Sequence, residues 1–244
     1  MAAVIPPSTF GIPALRTEDP RFLRGEGRYV DNIEVPGALR AVFVRSIFPH
    51  ALLNTIEGLD AARAMPGVAG VYAAGDLDLP HQLAAGSVEV PGGDLDRPFE
   101  RPILGGERLR YVGEPYAVVV AASTGHALDA AELIHADVEP LPVVIDPEVA
   151  AADEGGLLFP ETGTNVATRF QHRWDDDVLA GAEVTVRGRF LNQRVAPVPM
   201  EMNAIAVIPE PDGAYTVWVS SQVPFDVRGD LVDVLGVDRA RIRV

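Results

Sequence analysis

The stretch YAVVVAASTGHALDAAELIHADVEPLP, residues 116–142, changes its periodicity twice, and those changes decide the fold class. Tyr116 to Ala122 is a continuous apolar run of strand length, the pattern of a strand buried on both faces. Ser123 or Thr124 then offers a side-chain oxygen to the first free N–H groups of a helix predicted to run through Leu133. Ala127, Leu128, Ala131 and Ile134 are expected along one side of that helix. Asp137 to Pro142 runs extended, because a residue before proline avoids the helical region. The unit is strand–helix–strand, and the chain is expected to be α/β (α+β in the looser sense).

Toward the N-terminus, Leu39 to Arg45 (LRAVFVR) alternates as a strand does. Asp60 to Met65 predicts a short helix, stopped at Pro66-Gly67, and Val68 to Tyr72 returns to strand character. His81 to Arg101 carries glycine turns and acids without periodicity and reads as a long surface loop. Residues 1–24 are irregular, rich in Pro and Arg.

Toward the C-terminus, residues 146–165 combine acids, Gly-Gly and Pro in the manner of a linker. Asp175-Asp176-Asp177 predicts a short helix with acids at its positive end. Strands are expected at Glu183–Leu191, Asn203–Ile208 and Tyr215–Ser221, the last two joined by a turn at Pro211-Asp212-Gly213. Pro224 suits the first position of a helix with Val227, Leu231, Val234 and Leu235 on its apolar face, ended by Gly236. A further strand starts at Arg241.

Composition removes several function classes. The 244 residues are 48% hydrophobic and 23% charged, as in an ordinary soluble globular protein. A formal net charge of −15 argues against nucleic acid and against anionic lipid, both of which need a basic face. Ala117 to Ala122 is far too short to span a bilayer, so no membrane insertion is expected, and MAAVIPPSTFG has no secretory pattern. The expected compartment is the cytoplasm. With no cysteine, the chain itself offers no disulfide, thiolate nucleophile or iron–sulfur ligand. Histidines 50, 81, 126, 135 and 172 show no metal-ligand spacing, so no metal held by this chain's own side chains is expected.

Candidate chemistry is sparse. Gly92-Gly93 and Gly105-Gly106 lack the Lys-Ser/Thr of a phosphate loop, and no G-x-S-x-G elbow is present. Glu201 lies inside APVPMEMNAIAV, an acid within a Pro-rich apolar stretch. It is either a solvated acid at a strand end or a buried one that requires a partner. Gln222 stands at the strand's C-terminal end in SSQVPFDVR. Its neutral amide, both donor and acceptor, can address a cofactor without adding charge or can cap the next helix.

The order of motifs carries more than any one of them. RTEDPRFLRGEGRYVDNIEVPGALRAVFVRS, DAARAMPGVAGVYAAGDL, YVGEPYAVVVA, ELIHADVEPLP, RFLNQRVAPVPMEMN and SSQVPFDVR together resemble the large subunit of molybdenum hydroxylases. That family includes xanthine dehydrogenase, aldehyde oxidase and aerobic carbon monoxide dehydrogenase, and the resemblance covers residues 16–244. It implies an N-terminal extension at 1–24, an α/β hammerhead domain at 25–145, the linker at 146–165 and an incomplete molybdopterin-binding domain at 166–244. It implies oxidation of an aldehyde, heterocycle or carbon monoxide with oxygen from water. The cofactor would be molybdopterin, expected in its cytosine dinucleotide form, with iron–sulfur clusters on a small subunit and FAD on a medium subunit.

By the same resemblance, Gln222 occupies the position of the glutamine that hydrogen-bonds the apical oxo group of the molybdenum centre, and Glu201 is a supporting residue near it. Phe225, Met202-Asn203 and Ile47-Phe48-Pro49-His50 depart from the usual pattern of the family. The family's glycine-rich cofactor segment, its remaining pterin loops and its general-base glutamate follow the region matched here. No catalytic residue is therefore expected in this chain, which would be one piece of a split or truncated subunit, inactive alone and completed by the C-terminal remainder. The competing expectation is a non-catalytic hammerhead-type module used for binding or assembly.

Overall fold

The computed structural model describes residues 11, 15–78, 82–83, 93–94, 99–167, 169–170 and 179–244. Their elements begin with α1 (Asp19–Leu23), β1 (Arg40–Arg45), β2 (Ala51–Glu57), α2 (Leu59–Arg63) and β3 (Val68–Ala73). Three two-residue strands follow, β4 (Gln82–Leu83), β5 (Gly93–Asp94) and β6 (Glu100–Arg101), then β7 (Arg108–Leu109) and β8 (Pro115–Ala121). Next come α3 (Thr124–Ala131), β9 (His135–Pro140), α4 (Pro147–Ala151) and β10 (Arg169–Phe170). The last are β11 (Ile205–Pro209), β12 (Tyr215–Val219), α5 (Pro224–Leu235) and β13 (Ile242–Arg243). The described residues within 36–194 form one compact unit, and those within 11–35 and 195–244 a second.

In the first unit β8 is the centre of an antiparallel sheet ordered β1–β8–β3, with Val42 and Val71 both opposite Val119. Ala117, Val119 and Ala121 are fully buried, whereas Val118 and Val120 on the other face are half-buried. The apolar run therefore comes from a central antiparallel strand covered completely on one face, not on both. Helix α3 lies against that covered face. Its buried stripe is Ala127, Ala130 and Ile134, while Leu128 is exposed. Of the expected face, Ala127, Ala131 and, just past the helix, Ile134 pack into the core with Ala117 and Ala121, while Ala130 takes the place given to Leu128. Ser123 is the cap, its Oγ accepting from the His126 N–H at 3.2 Å.

β9 does not rejoin that sheet. It pairs with β2 in a second antiparallel sheet ordered β7–β2–β9, so the strand–helix–strand unit spans two sheets. β2 was not anticipated, because its register shifts between Leu53 and Thr55. Ala51 and Leu53 face inward on one side of this bulge and Ile56 on the other, which breaks the alternation that marks a strand. Part of the expected 81–101 loop lies outside the described residues; within it β4 pairs with β6, and β5 with β10. The helix expected at Asp175-Asp176-Asp177 lies outside the described residues.

Residues 146–166 bond largely to themselves. Asp146 Oδ1 accepts from the N–H groups of Glu148 at 2.8 Å and Val149 at 3.2 Å, capping α4. Asp153 accepts from Thr164 Oγ1 at 2.8 Å, and Asn165 Nδ2 donates to Gly156 O at 2.8 Å. Replacing Asp146 by Ala is expected to weaken this local helix by about 1 kcal/mol. Hydrogen exchange at Glu148–Ala151 should rise while exchange in β8 stays unchanged; equal protection of α4 in both proteins would remove the capping role.

In the second unit β11 and β12 form a hairpin around Gly213, whose φ of +80° suits the turn. α5 then crosses over, ends at Gly236 in the left-handed region, and delivers β13 parallel to β12. Val217 and Ile242 are the buried residues of this small sheet. The strand expected at Glu183–Leu191 is not formed: residues 183–191 have no regular structure, and Val184, Val186 and Phe190 are exposed. Alternation alone does not make a strand; a neighbour must take its backbone hydrogen bonds, and none of the described pairings reaches 183–191. Among the described residues no helix is long and apolar enough to cross a membrane.

Candidate functional site

The two residues singled out from sequence both lie in the chain just beyond the open end of the β11–β12 hairpin, away from its turn. The Ser220 N–H donates to Ala204 O at 3.0 Å, extending the ladder one step beyond the strands. Beyond that step Ser220 Oγ donates to Glu201 Oε1 at 3.1 Å, joining the chain before β11 to the Ser220-Ser221-Gln222 corner. Glu201 is exposed, so of the two states open to it the structure selects the solvated acid with a hydroxyl partner.

At the corner itself Ser221 Oγ accepts from the Val223 N–H at 3.0 Å. Helix α5 starts with Val223 at its N-cap, Pro224 in the first turn and no side-chain cap. Gln222 is exposed, and its amide makes no hydrogen bond among the described residues. It is thus not engaged as a helix cap. Its chain neighbours Val223 and Phe225 are exposed apolar side chains, as are Met200 and Met202 beside Glu201 in sequence. An uncharged donor–acceptor amide suits a polar, electron-rich ligand atom whose charge must not be perturbed.

Sequence reasoning missed a second polar cluster, in the first unit. Glu114, from the YVGEP motif, is 1% exposed, as buried as any polar residue described. Its Oε2 accepts the Arg110 N–H, and its Oε1 makes no hydrogen bond among the described residues. Burial pushes its carboxyl above the usual carboxylate range, opposed by the backbone N–H groups of Arg110 and Tyr111 and by the charges of Arg110 and Arg101. His50 is also buried, between Pro142 O at 2.6 Å from Nδ1 and Arg108 Nη1 at 3.1 Å from Nε2. Since a carbonyl only accepts, Nδ1 carries the hydrogen and Nε2 accepts from Arg108.

The two-sheet unit and the hairpin–helix–strand segment fall within two successive domain matches to known proteins. The family model described as "Aldehyde oxidase and xanthine dehydrogenase, a/b hammerhead domain" matches residues 24–142, and that of the molybdopterin cofactor-binding domain matches residues 158–244. The large subunit of nicotine 6-hydroxylase from Paenarthrobacter nicotinovorans is 35% identical over 94% of this chain and 28% of its own length. The carbon monoxide dehydrogenase large chain of Afipia carboxidovorans is 32% identical over 96% of this chain and 30% of its own length. Among solved structures, quinoline 2-oxidoreductase from Pseudomonas putida 86 superposes with a TM-score of 0.79 at 30% identity, over 94% of this chain and 29% of that one. The chain belongs to the molybdenum hydroxylase family of xanthine dehydrogenase, aldehyde oxidase and carbon monoxide dehydrogenase, and corresponds to the N-terminal part of its large subunit. It spans 28% and 30% of the length of the two curated relatives named above.

Proposed function

We propose that this chain contributes one wall of a molybdenum site in a hydroxylase large subunit. The observation that carries the reading is the Gln222 amide, left without a partner at a corner where Ser221, not Gln222, takes the nearest helix N–H. The residues fit the molybdopterin group by the chemistry of their donors: an amide N–H supports an oxo acceptor, where a lysine would alter the charge at the metal. Glu201 orients the corner through Ser220. When bound, the cofactor supplies two-electron oxidation of an aldehyde, heterocycle or carbon monoxide, with water as the oxygen source. The neighbours named for nicotine, quinoline and carbon monoxide support this range of substrates.

The division proposed is an extension at 1–24, the hammerhead domain at 25–145, a connecting segment at 146–165 and the start of the cofactor-binding domain at 166–244. The partners are the C-terminal remainder of the large subunit, an iron–sulfur small subunit and a FAD medium subunit, with the cofactor in its cytosine dinucleotide form and the assembly in the cytoplasm. In the second unit the exposed apolar side chains Val195, Val198, Met200 and Met202 support a stretch that another part of the same subunit covers.

Metal analysis tests the proposal. The chain purified alone is expected to hold no stoichiometric molybdenum and to oxidise none of these substrates. Co-expressed with the remainder of the large subunit and both partner subunits, it is expected to yield bound molybdenum and turnover. Stoichiometric molybdenum on the isolated chain, or an assembled complex without the metal, would reject the reading in favour of a complete cofactor site here or a non-catalytic module.

A further inference from the structure

One side chain ties residues 157–165 to the β7 segment. Arg110 Nε donates to Leu158 O at 3.1 Å, and its guanidinium lies 4.4 Å from the centre of the Phe159 ring. Nη2 of the same group stands 3.9 Å from Glu161. Phe159 also meets Phe99 edge to face, with ring centres 5.3 Å apart. Nη1 donates to Arg108 O at 3.3 Å, so Arg110 is held by stacking, by two carbonyls and by a distant acid, with no closer carboxylate on its guanidinium among the described residues.

A buried carboxyl group acts on that same guanidinium. Glu114 is enclosed, with Oε2 on the Arg110 backbone N–H and Oε1 without a hydrogen bond among the described residues. Gly105 borders it, a Cβ there standing 3.7 Å from the Glu114 carboxyl carbon, in ordinary contact. The charged groups acting on Glu114 are the guanidinium groups of Arg110 and Arg101. Those acting on Arg110 are Glu114, Glu161 and Arg108, the last of which is bound to His50.

We propose that Arg110 and Glu114 form a proton-sensitive clamp on residues 157–165. With Glu114 neutral, the guanidinium grips Leu158 and Phe159. When Glu114 ionises, its orphan oxygen becomes a buried unpaired charge that draws the nearest cation, and Arg110 is pulled off the segment. Burial raises the carboxyl's affinity for its proton, so the closed clamp is complete below the ordinary carboxylate range. It is lost as pH rises through the raised value. The segment it holds includes residue 158, where the cofactor-binding match begins.

Hydrogen exchange of the 244-residue chain, read by mass spectrometry and corrected for intrinsic rates, tests the clamp. In the wild type, protection of 157–165 is expected to fall roughly tenfold between about pH 5 and pH 8, the change that one pKa unit of differential interaction produces. Glu114→Gln should keep that protection high at every pH, because its amide stays neutral. Arg110→Ala should leave it low at every pH, with β8 peptides as the check on folding. If that variant does not fold, Phe159→Leu removes the stacking partner alone and should lower protection of 157–165 in the same way. Wild-type protection that ignores pH, or a Glu114→Gln protein that keeps the wild-type pH profile, overturns the proposal. So does full protection of 157–165 in a folded Arg110→Ala protein, or in Phe159→Leu.

Discussion

Gly58→Ala is expected to destabilise the first unit by roughly 2–5 kcal/mol, adding a left-handed backbone term of about 1–2 to an overpacking term of about 1–3. Gly58 joins β2 to α2 with a φ of +81°, a conformation side chains rarely adopt. A Cβ there would be driven into the backbone carbonyl of Leu133, at 2.8 Å from its carbon, where the chain turns from α3 into β9. A backbone group cannot rotate aside as a side chain can, so one of the two corners must move. Gly37→Ala is the control: its φ of +74° carries the torsional term, but nothing lies within 4 Å of its Cβ. Urea unfolding of both variants separates the terms. A Gly58→Ala loss no larger than that of Gly37→Ala would mean that the two corners do not meet.

That meeting of corners also shows what the sequence could express. β1, β3, β8, α2 and α3 are readable because each carries its own period and its own stop signal, as at Pro66-Gly67 or Ser123. β2 is the centre strand of its sheet, yet the bulge near Asn54 shifts its inward side chains by one position and hides it. Residues 183–191 err in the other direction, with a clean alternation and no pairing neighbour among the described residues. Local pattern reports which face a strand would bury, and pairing is a property of chain that lies elsewhere.

The candidate site divides in the same way. Gln222 was visible because a strand ends and a helix begins around it within six residues, and both signals are local. Its link to Glu201 runs through Ser220, 19 residues from that acid, and depends on the hairpin having closed. His50 bonds to partners 58 and 92 residues away, so no spacing rule could have marked it as a buried, fully engaged imidazole. Glu114 had only a short motif to its name; its backbone carbonyl takes the Ser46 N–H, 68 residues back, and Gly105 borders its carboxyl, so its burial depends on distant chain.

The sharpest functional test bears on Gln222 in an assembled enzyme. Gln222→Leu keeps similar bulk, adds no charge and removes the one donor proposed to reach the molybdenum centre's oxo group. A hydrogen bond to a charged centre is worth roughly 1.5–3 kcal/mol, so turnover per bound molybdenum should fall by about one to two orders of magnitude if the bond acts in the transition state. Stability should barely change, since the exposed amide has no partner among the described residues and Ser221 already serves the Val223 N–H. Ser221→Ala gives the opposite pattern: losing the acceptor of the Val223 N–H should cost about 1 kcal/mol and leave turnover per metal nearly intact. Melting temperature, metal content and turnover measured together on both variants keep the two roles apart. A Gln222→Leu enzyme with wild-type turnover per molybdenum would remove the amide from the site, whatever its stability, and leave the corner as a fold element alone.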